Sequence, residues 1–302
     1  MRHRLVRACA LLAVGIAVAC LPSHLSARTP GAVSAIIEFL DVGQGDSILI
    51  RSPEGKTALI DAGPSNGVVQ SLKAKGLTSI DFVALTHHHS DHYGGMRQVI
   101  EHFKPKYFLA TNSTHTTSMY LKVLQQVKDQ NVQLIRPTQK PRHVELGSVL
   151  LTIFPQPPMN ADEENDNSIG IRVSYGSVSV ILTGDSEESE RAWWTEHHPE
   201  LLRDATILKL AHHGSRNGTD AAWIDLIRPE LTVASLATGN SYGHPHSETV
   251  SLLKKKRIPL LQTNKEGSIR INTDGEHWSV AREQLAKGKT GAETKHTSSR
   301  RY

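Results

Sequence analysis

The stretch His87-His88-His89-Ser90-Asp91-His92 decides how this sequence is interpreted, because it places four imidazoles and one carboxylate within six residues. It follows the apolar run Phe82–Leu85 and a single threonine, so it lies at the end of a predicted strand. Imidazole and carboxylate together suit a borderline divalent cation such as zinc. The stretch therefore predicts a metal site at a strand end.

The spacing inside this stretch indicates which side chains face a metal. The i, i+2 spacing lets His87 and His89 face one ion while Asp91 and His92 face another. His88 is then expected to point away, and its replacement by alanine to be nearly silent.

Three further segments repeat this pattern along the chain. Leu59–Gly63, Leu182–Asp185 and His212–Ser215 each combine an Asp or His with a nearby Gly after an apolar run. Strand ends present ligands to a shared cleft in this way. A histidine tract that arose by chance would not be accompanied by three further segments of this kind. The segments together therefore predict one site.

These motifs resemble the metallo-β-lactamase superfamily of metallo-hydrolases. The finer resemblance is to the soluble hydrolase domain of ComEC-type competence proteins, and it extends from about Ile36 to Asp274. Four runs carry it: Asp41–Asp46, Asn165–Ser168, His212–Ser215 and Tyr242–His246. The resemblance implies a single domain with a four-layer αβ/βα sandwich fold.

The resemblance also implies a ligand set for two divalent ions, with zinc expected and manganese as the alternative. The implied metal ligands are His87, His89, Asp91, His92, Asp185 and His213. Asp185 would bridge both ions, although an aspartate there could instead cap the following helix.

One histidine of the wider superfamily pattern is missing ahead of Asp185. The chain has Asn165-Asp166-Asn167-Ser168 there, so Asn167 or Asp166 and water are expected to complete the first site. His212 and His213 are adjacent, and the ligand could be either of them.

The predicted catalytic residues are Asp91, His212 and His246. His212 would contact phosphate or orient a ligand, and His246 would protonate a leaving oxygen. The run Tyr242–His246 could equally be a Gly-Pro turn with surface histidines. Asp61 is expected to orient an imidazole from beneath the histidine stretch.

The N-terminal segment indicates export. Three arginines precede an apolar stretch from Ala8 to Leu21 that is too short for a stable membrane span, so residues 1–27 are predicted to be a signal peptide. The protein would then be secreted or periplasmic. Alternatively, Cys20 would be lipidated at a weak lipobox. Cys9 and Cys20 are the only cysteines, so the mature protein would have no disulfide.

The charge distribution limits the partners. The net charge of +4 falls to +1 without residues 1–27, and residues 286–302 carry +4, so the body is about −3. A weakly acidic body argues against a large sequence-independent phosphate-binding surface, although a local basic track or the basic tail could contact nucleic acid. This tail is predicted to be disordered, and the domain to span residues 33–282.

Three functions are compatible with these residues. The leading hypothesis is an exported phosphodiesterase or nuclease that uses a metal-bound hydroxide, with a phosphodiester or nucleic acid as substrate. The second is a lactam or lactone hydrolase, and the third is a non-catalytic accessory in DNA uptake. The oligomeric state is left open.

Overall fold

A computed structural model describes residues 34–160 and 162–282 and the backbone of residues 294–296. Within these ranges, sixteen strands form two sheets. The first sheet contains β1 (Ala35–Phe39), β2 (Ile48–Arg51), β3 (Thr57–Ile60), β4 (Phe82–Leu85), β5 (Tyr107–Ala110), β6 (Gln133–Ile135), β14 (Ile269–Thr273), β15 (Trp278–Arg282) and β16 (Thr294–His296). The second contains β7 (Arg142–Leu146), β8 (Val149–Ile153), β9 (Ile171–Tyr175), β10 (Val178–Leu182), β11 (Ile207–Lys209), β12 (Leu231–Ala234) and β13 (Leu260–Gln262).

Each sheet is antiparallel in one half and parallel in the other. The first has the order β16-β15-β14-β1-β2-β3-β4-β5-β6, and pairing is parallel from β3 to β6. The second has the order β13-β12-β11-β10-β9-β8-β7, and pairing is parallel from β10 to β13.

Helices cover the outer faces of both sheets. They are α1 (Gly67–Ala74), α2 (Ser90–Tyr93), α3 (Met96–Phe103), α4 (Ser118–Asp129), α5 (Glu188–His197), α6 (Pro199–Leu202), α7 (Ala221–Ile227), α8 (Ser247–Lys256) and α9 (Thr263–Glu266). None of the helices within the described ranges is long and apolar enough to cross a membrane.

Strand β4 shows why the layers form. Phe82 and Ala84 belong to the core between the two sheets, whereas Val83 and Leu85 pack beneath the helices of the first sheet. A strand that is buried on both faces is apolar throughout, and this strand is. A third core lies beneath α5, α7 and α8 on the second sheet. The predicted four-layer sandwich is therefore confirmed.

The candidate site lies where parallel strands of both sheets end. The loop after β3 carries Asp61, the loop after β4 carries His87–His92, and the turn after β10 carries Asp185. The segment after β11 carries His212 and His213. In open α/β sheets the carboxyl ends of parallel strands form the binding crevice.

Five strands are absent from the sequence prediction: β6, β7, β13, β15 and β16. The first three are edge strands of their sheets. Edge strands carry exposed polar residues and give a weak periodic signal, as Arg142–Leu146 does.

The two terminal predictions fall largely outside the described residues. Residues 1–27, the predicted signal peptide, lie entirely outside them. Within the tail predicted to be disordered, Thr294–His296 pair with the edge of β15 as a short antiparallel strand. The other positions of 286–302 lie outside the described residues, so for them disorder stays a prediction.

Candidate metal centre

The buried carboxylate of Asp185 is the centre of the site. Its side chain is nearly inaccessible, and its Oδ1 lies 3.3 Å from Nε2 of His92. Its Oδ2 lies 3.3 Å from Nε2 of His213. His92 Nε2 and Asp185 Oδ1 are buried and have no hydrogen-bond partner among the described residues. Buried polar atoms normally have partners, so these orphaned atoms fit a bound cation.

Asp91 completes one group of donors. Its Oδ2 lies 3.3 Å from His213 Nε2 and 3.9 Å from His92 Nε2. Ligating atoms of Asp91, His92, Asp185 and His213 all lie within 4.8 Å of one another. Two imidazoles and two carboxylates form a donor set that suits zinc or manganese. The residues present therefore fit a divalent metal ion.

Charge coupling within this group is strong. Burial alone lowers the pKa of His92 and of His213, but the Asp185 carboxylate reverses this and raises both pKa values well above the ordinary range. Burial would raise the pKa of Asp185, but the two imidazoles hold it well below its usual range. A cation bound here would replace the protons that the two histidines hold.

His87 and His89 form a second group of donors beside the same carboxylate. Nε2 of His87 lies 3.1 Å from Nδ1 of His89 and 3.9 Å from Oδ2 of Asp185. Burial, together with the nearby His92, lowers the pKa of His87 well below its ordinary value. A neutral imidazole is the form that binds a metal. The structure thus brings the other five predicted ligands together around Asp185.

Asp61 orients the imidazole of His92. Its Oδ2 lies 2.8 Å from His92 Nδ1, and its Oδ1 accepts a hydrogen bond from the backbone N–H of Thr86 at 2.8 Å. These contacts leave Nε2 of His92 directed at Asp185. Asp61 has a φ of 59°, which is uncommon for a residue other than glycine and is found at constrained functional positions. Asp61 thus has the position predicted for an orienting residue.

Side-chain contacts distinguish the two adjacent histidines. His212 and His213 have φ values of 46° and 53°, so both adopt the left-handed backbone conformation. Nδ1 of His213 lies 2.9 Å from the carbonyl oxygen of Ser235, and its Nε2 reaches Asp91 and Asp185. His213 is therefore the better-placed ligand of the pair.

His212 lies at the wall of the cleft instead. Its Nδ1 lies 2.8 Å from Oε1 of Glu187, and its Nε2 is 3.9 Å from Oδ2 of Asp185. The hydrogen bond to His212 lowers the pKa of Glu187, so its carboxylate accepts a hydrogen bond from the Nδ1–H of His212. This tautomer leaves Nε2 of His212 directed into the cleft, where it can contact a substrate.

A buried ion pair lies next to the imidazole of His213. Lys209 is fully buried, and its Nζ lies 2.7 Å from Oδ2 of Asp46. Burial would raise the pKa of Asp46, but Lys209 lowers it to about 2. The other Asp46 oxygen lies 3.5 Å from Nδ1 of His213. The sequence analysis missed Lys209, although a lysine inside a buried strand is almost always paired.

The asparagine-rich run differs from the expectation. Asn167 is turned away and donates to the backbone carbonyls of Asn160 and Glu163, and Asp166 accepts from the backbone N–H of Glu187. Asn165 lines the cleft instead, and its buried Oδ1 lacks a hydrogen-bond partner among the residues described. Asn165 is therefore the residue of this run whose side chain lines the cleft together with His89, whereas Asp166 and Asn167 are buried in contacts with their neighbours.

The mouth of the site is a cavity of about 280 Å³. Its lining residues are Gln44, His89, Ser90, Asp91, Asn165, Asp185, His212, His213, Tyr242 and His244. Burial lowers the pKa of His244 to about 4, so this ring is uncharged at neutral pH.

His246 does not have the predicted position. Its Nδ1 accepts from the backbone N–H of Arg216 at 3.0 Å, and its Nε2 lies 3.2 Å from the carbonyl oxygen of Tyr242. Both ring nitrogens therefore brace the loop, and the cleft is lined by His244 instead.

His88 points away from the centre, as expected, but its side chain makes buried contacts of its own. It is buried, and its Nδ1 lies 3.0 Å from both Ser113 Oγ and Glu164 Oε1. These buried contacts hold the metal loop to its neighbours, so replacing His88 is expected to lower stability; that the replacement is nearly silent in turnover stays a prediction.

Gly45 shows why the run Asp41–Asp46 contains glycine. A Cβ atom at this position would lie 2.1 Å from the backbone oxygen of Asp91. Only glycine allows this loop to pack so closely against the metal-binding loop.

Several curated proteins are similar to this chain. ComE operon protein 3 of Bacillus subtilis is 27% identical over 260 residues, which cover 77% of this chain and 32% of that protein. Competence protein ComA of Neisseria gonorrhoeae is 27% identical over 249 residues, covering 78% of this chain and 32% of that protein. This chain thus spans about a third of the length of these relatives.

Solved structures share the fold at low identity. The metallo-beta-lactamase fold protein YhfI from Bacillus subtilis matches with a TM-score of 0.54 and 12% identity, over 80% of this chain and 100% of that one. CmlA, a diiron beta-hydroxylase from Streptomyces venezuelae, matches with a TM-score of 0.53 and 14% identity, over 79% of this chain and 54% of that one. These likenesses concern the fold alone.

The family model of the metallo-beta-lactamase superfamily matches residues 40–237. This range begins just before Asp41 and includes the histidine stretch, Asp185 and both histidines after β11. Because the match covers more than half of the chain and includes the candidate ligands, the protein belongs to the metallo-beta-lactamase superfamily, whose fold supports a metal-dependent hydrolase.

Proposed function

We propose that this chain is a phosphodiesterase that uses two divalent metal ions and acts on nucleic acid. One observation carries the proposal: imidazole nitrogens of His87, His92 and His213 all approach the buried carboxylate of Asp185, at 3.9, 3.3 and 3.3 Å. A carboxylate between two groups of ligands is suited to bridge two ions.

Each ion has its own donors in this proposal. His87 and His89, with Asn165 nearby, would hold the first, and Asp91, His92 and His213 would hold the second. Bound at this place, the ions would activate a water molecule and neutralise charge on the phosphate. Zinc is the expected metal and manganese the alternative.

The chain's own residues would orient the substrate. His212, with Nδ1 engaged by Glu187, presents Nε2 to the cleft, where it can donate a hydrogen bond to a nonbridging phosphate oxygen when both ring nitrogens are protonated. His244 lines the same cavity and is uncharged at neutral pH, so it can exchange hydrogen bonds without adding charge. A lactam has fewer oxygens to meet these donors, which favours a phosphodiester.

The similar proteins support the nucleic-acid part of the proposal. One of them is named Competence protein ComA, another ComE operon protein 3, and a third is Recombination protein 2 of Haemophilus influenzae. We further propose that residues 1–27 direct export, so that the protein works outside the cytoplasm or is anchored at Cys20.

The test combines metal analysis with hydrolysis by the purified full chain. We expect two zinc or manganese ions per chain, and metal-dependent hydrolysis of bis(p-nitrophenyl) phosphate and of a single-stranded oligonucleotide. Asp185→Asn should abolish both activities, whereas Asp129→Asn, an exposed change on α4, should leave them intact. Rapid opening of nitrocefin without diester cleavage would favour lactam hydrolysis. Two bound ions without any of these activities would favour an accessory role.

A further inference from the structure

Tyr242 forms an exposed aromatic surface at the mouth of the cavity. It is 63% exposed, yet it lines the same cavity as Asp91 and Asp185. One face of its ring is stacked on His244, with ring centroids 5.7 Å apart and planes 20° apart. The ring thus offers a planar apolar surface to whatever enters the cleft.

The loop that carries this stack is held in place by its own hydrogen bonds. The side chain of Asn240 donates to the carbonyl oxygens of Ala237 at 3.2 Å and of His244 at 2.8 Å. Its Oδ1 accepts from the backbone N–H of His244 at 2.9 Å. An aromatic ring on a braced loop loses little conformational entropy when it binds a ligand.

The stack is continuous with the candidate metal centre. The ring of His244 contacts the ring of His212 edge to face, with centroids 5.2 Å apart and planes 75° apart. His212 Nε2 lies 3.9 Å from Oδ2 of Asp185. A planar group on Tyr242 would therefore lie beside a phosphate bound at the centre.

We propose that Tyr242, backed by His244, is a stacking site for the nucleobase next to the scissile phosphate, so that single-stranded DNA is the preferred substrate. This inference rests on the proposed function, because it assumes a phosphodiester at the centre. Stacking on an aromatic side chain accepts every base, and it requires a base that is not already stacked in a duplex.

The charge of the domain supports this assignment. The body carries about −3, so outside the basic tail contacts to the phosphate backbone contribute less to affinity than they would on a basic domain. Stacking must then supply a larger share of the binding free energy.

The test measures DNA binding by fluorescence anisotropy with the metal-loaded full chain. The probes are a phosphorothioate oligothymidylate, which resists cleavage, and an abasic phosphorothioate strand of the same length. Tyr242→Ala should weaken binding of the first probe roughly tenfold, while Tyr242→Phe keeps the affinity. Tyr107→Ala is the matched control, because Tyr107 is 38% exposed at the start of β5, at the end of the sheet opposite the site.

Two further results are expected if Tyr242 binds a base by stacking. The abasic strand should bind the wild type and Tyr242→Ala equally, and the salt dependence of oligothymidylate binding should have the same slope in both, since stacking releases no counterions. Equal losses for both probes, or no loss for either, would overturn the stacking site.

The outcome separates this inference from the proposed function. Base-dependent binding without diester hydrolysis would contradict the proposed activity alone. Hydrolysis of DNA that Tyr242→Ala leaves unchanged, together with unchanged affinity, would contradict the stacking site alone.

Discussion

The buried Lys209–Asp46 pair allows a quantitative prediction about a residue that no motif marks. Lys209→Met keeps the length and apolar character of the side chain but removes the ammonium that lies 2.7 Å from Asp46 Oδ2. Asp46 is then left buried without its lysine partner, and its other oxygen lies 3.5 Å from His213 Nδ1. We therefore expect both a loss of stability and a weaker hold on the second metal ion.

The magnitude follows from the pKa of Asp46. Lys209 and other neighbours lower it from 3.8 to about 2 despite burial, which corresponds to about 2 kcal/mol of folding free energy at neutral pH. Because the folded pKa is lowered, this stability is fully present above the unfolded pKa and is lost as the pH falls through the folded one. Removing one partner of a buried pair costs about 3–5 kcal/mol. The cost of Lys209→Met should be largest at neutral pH and smaller in acid, where Asp46 takes up a proton.

The assay is guanidinium unfolding of the metal-free protein at about pH 7 and about pH 4.5. Lys56→Met is the matched control, because Lys56 is 51% exposed in its pair with Asp81 and should cost less than about 1 kcal/mol. Adding Asp46→Asn to Lys209→Met should recover much of the stability, since no unpaired charge remains. A Lys209→Met cost that matches the control, or one that is equal at both pH values, would refute this reasoning.

Three other predictions concern the site and the N-terminus. His88→Ala should lower the free energy of unfolding by about 1–3 kcal/mol, since it leaves buried partners unsatisfied, and chemical denaturation measures this; an unchanged midpoint would contradict the buried contacts. Because the pKa values of His92 and His213 are raised well above the ordinary range, protonation stabilises the metal-free fold until the pH rises through those values. Zinc affinity should therefore increase with pH. Calorimetry in buffers of different ionisation enthalpy should detect the release of protons when zinc binds. An affinity that does not change with pH would contradict this competition between zinc and protons. The exported chain should begin near Arg28, and an intact mass that retains Met1 would disprove cleavage.

The strand ends and the donor types were predictable because both are local. An apolar run such as Phe82–Leu85 followed by polar residues indicates a buried strand and its end without knowledge of its neighbours. Edge strands such as β7 were not predictable, because their pairing on one side only leaves exposed polar residues that resemble a loop. The sequence places Lys209 in a buried strand, which predicts that it is paired. Its partner Asp46 could not be predicted, because it is 163 positions away along the chain.

The sequence by itself determined the superfamily, the sandwich fold and the donor set of histidines and aspartates, because strand periodicity and ligand chemistry are properties of short segments. Only the tertiary structure decided that His213 rather than His212 reaches both Asp91 and Asp185, that Asn165 rather than Asn167 lines the cleft, and that His244 takes the place expected for His246. Each of these choices is between residues one or two positions apart. Such residues point in different directions, and which of them meets the centre depends on the local backbone torsion and on how the loops of two sheets are brought together by packing.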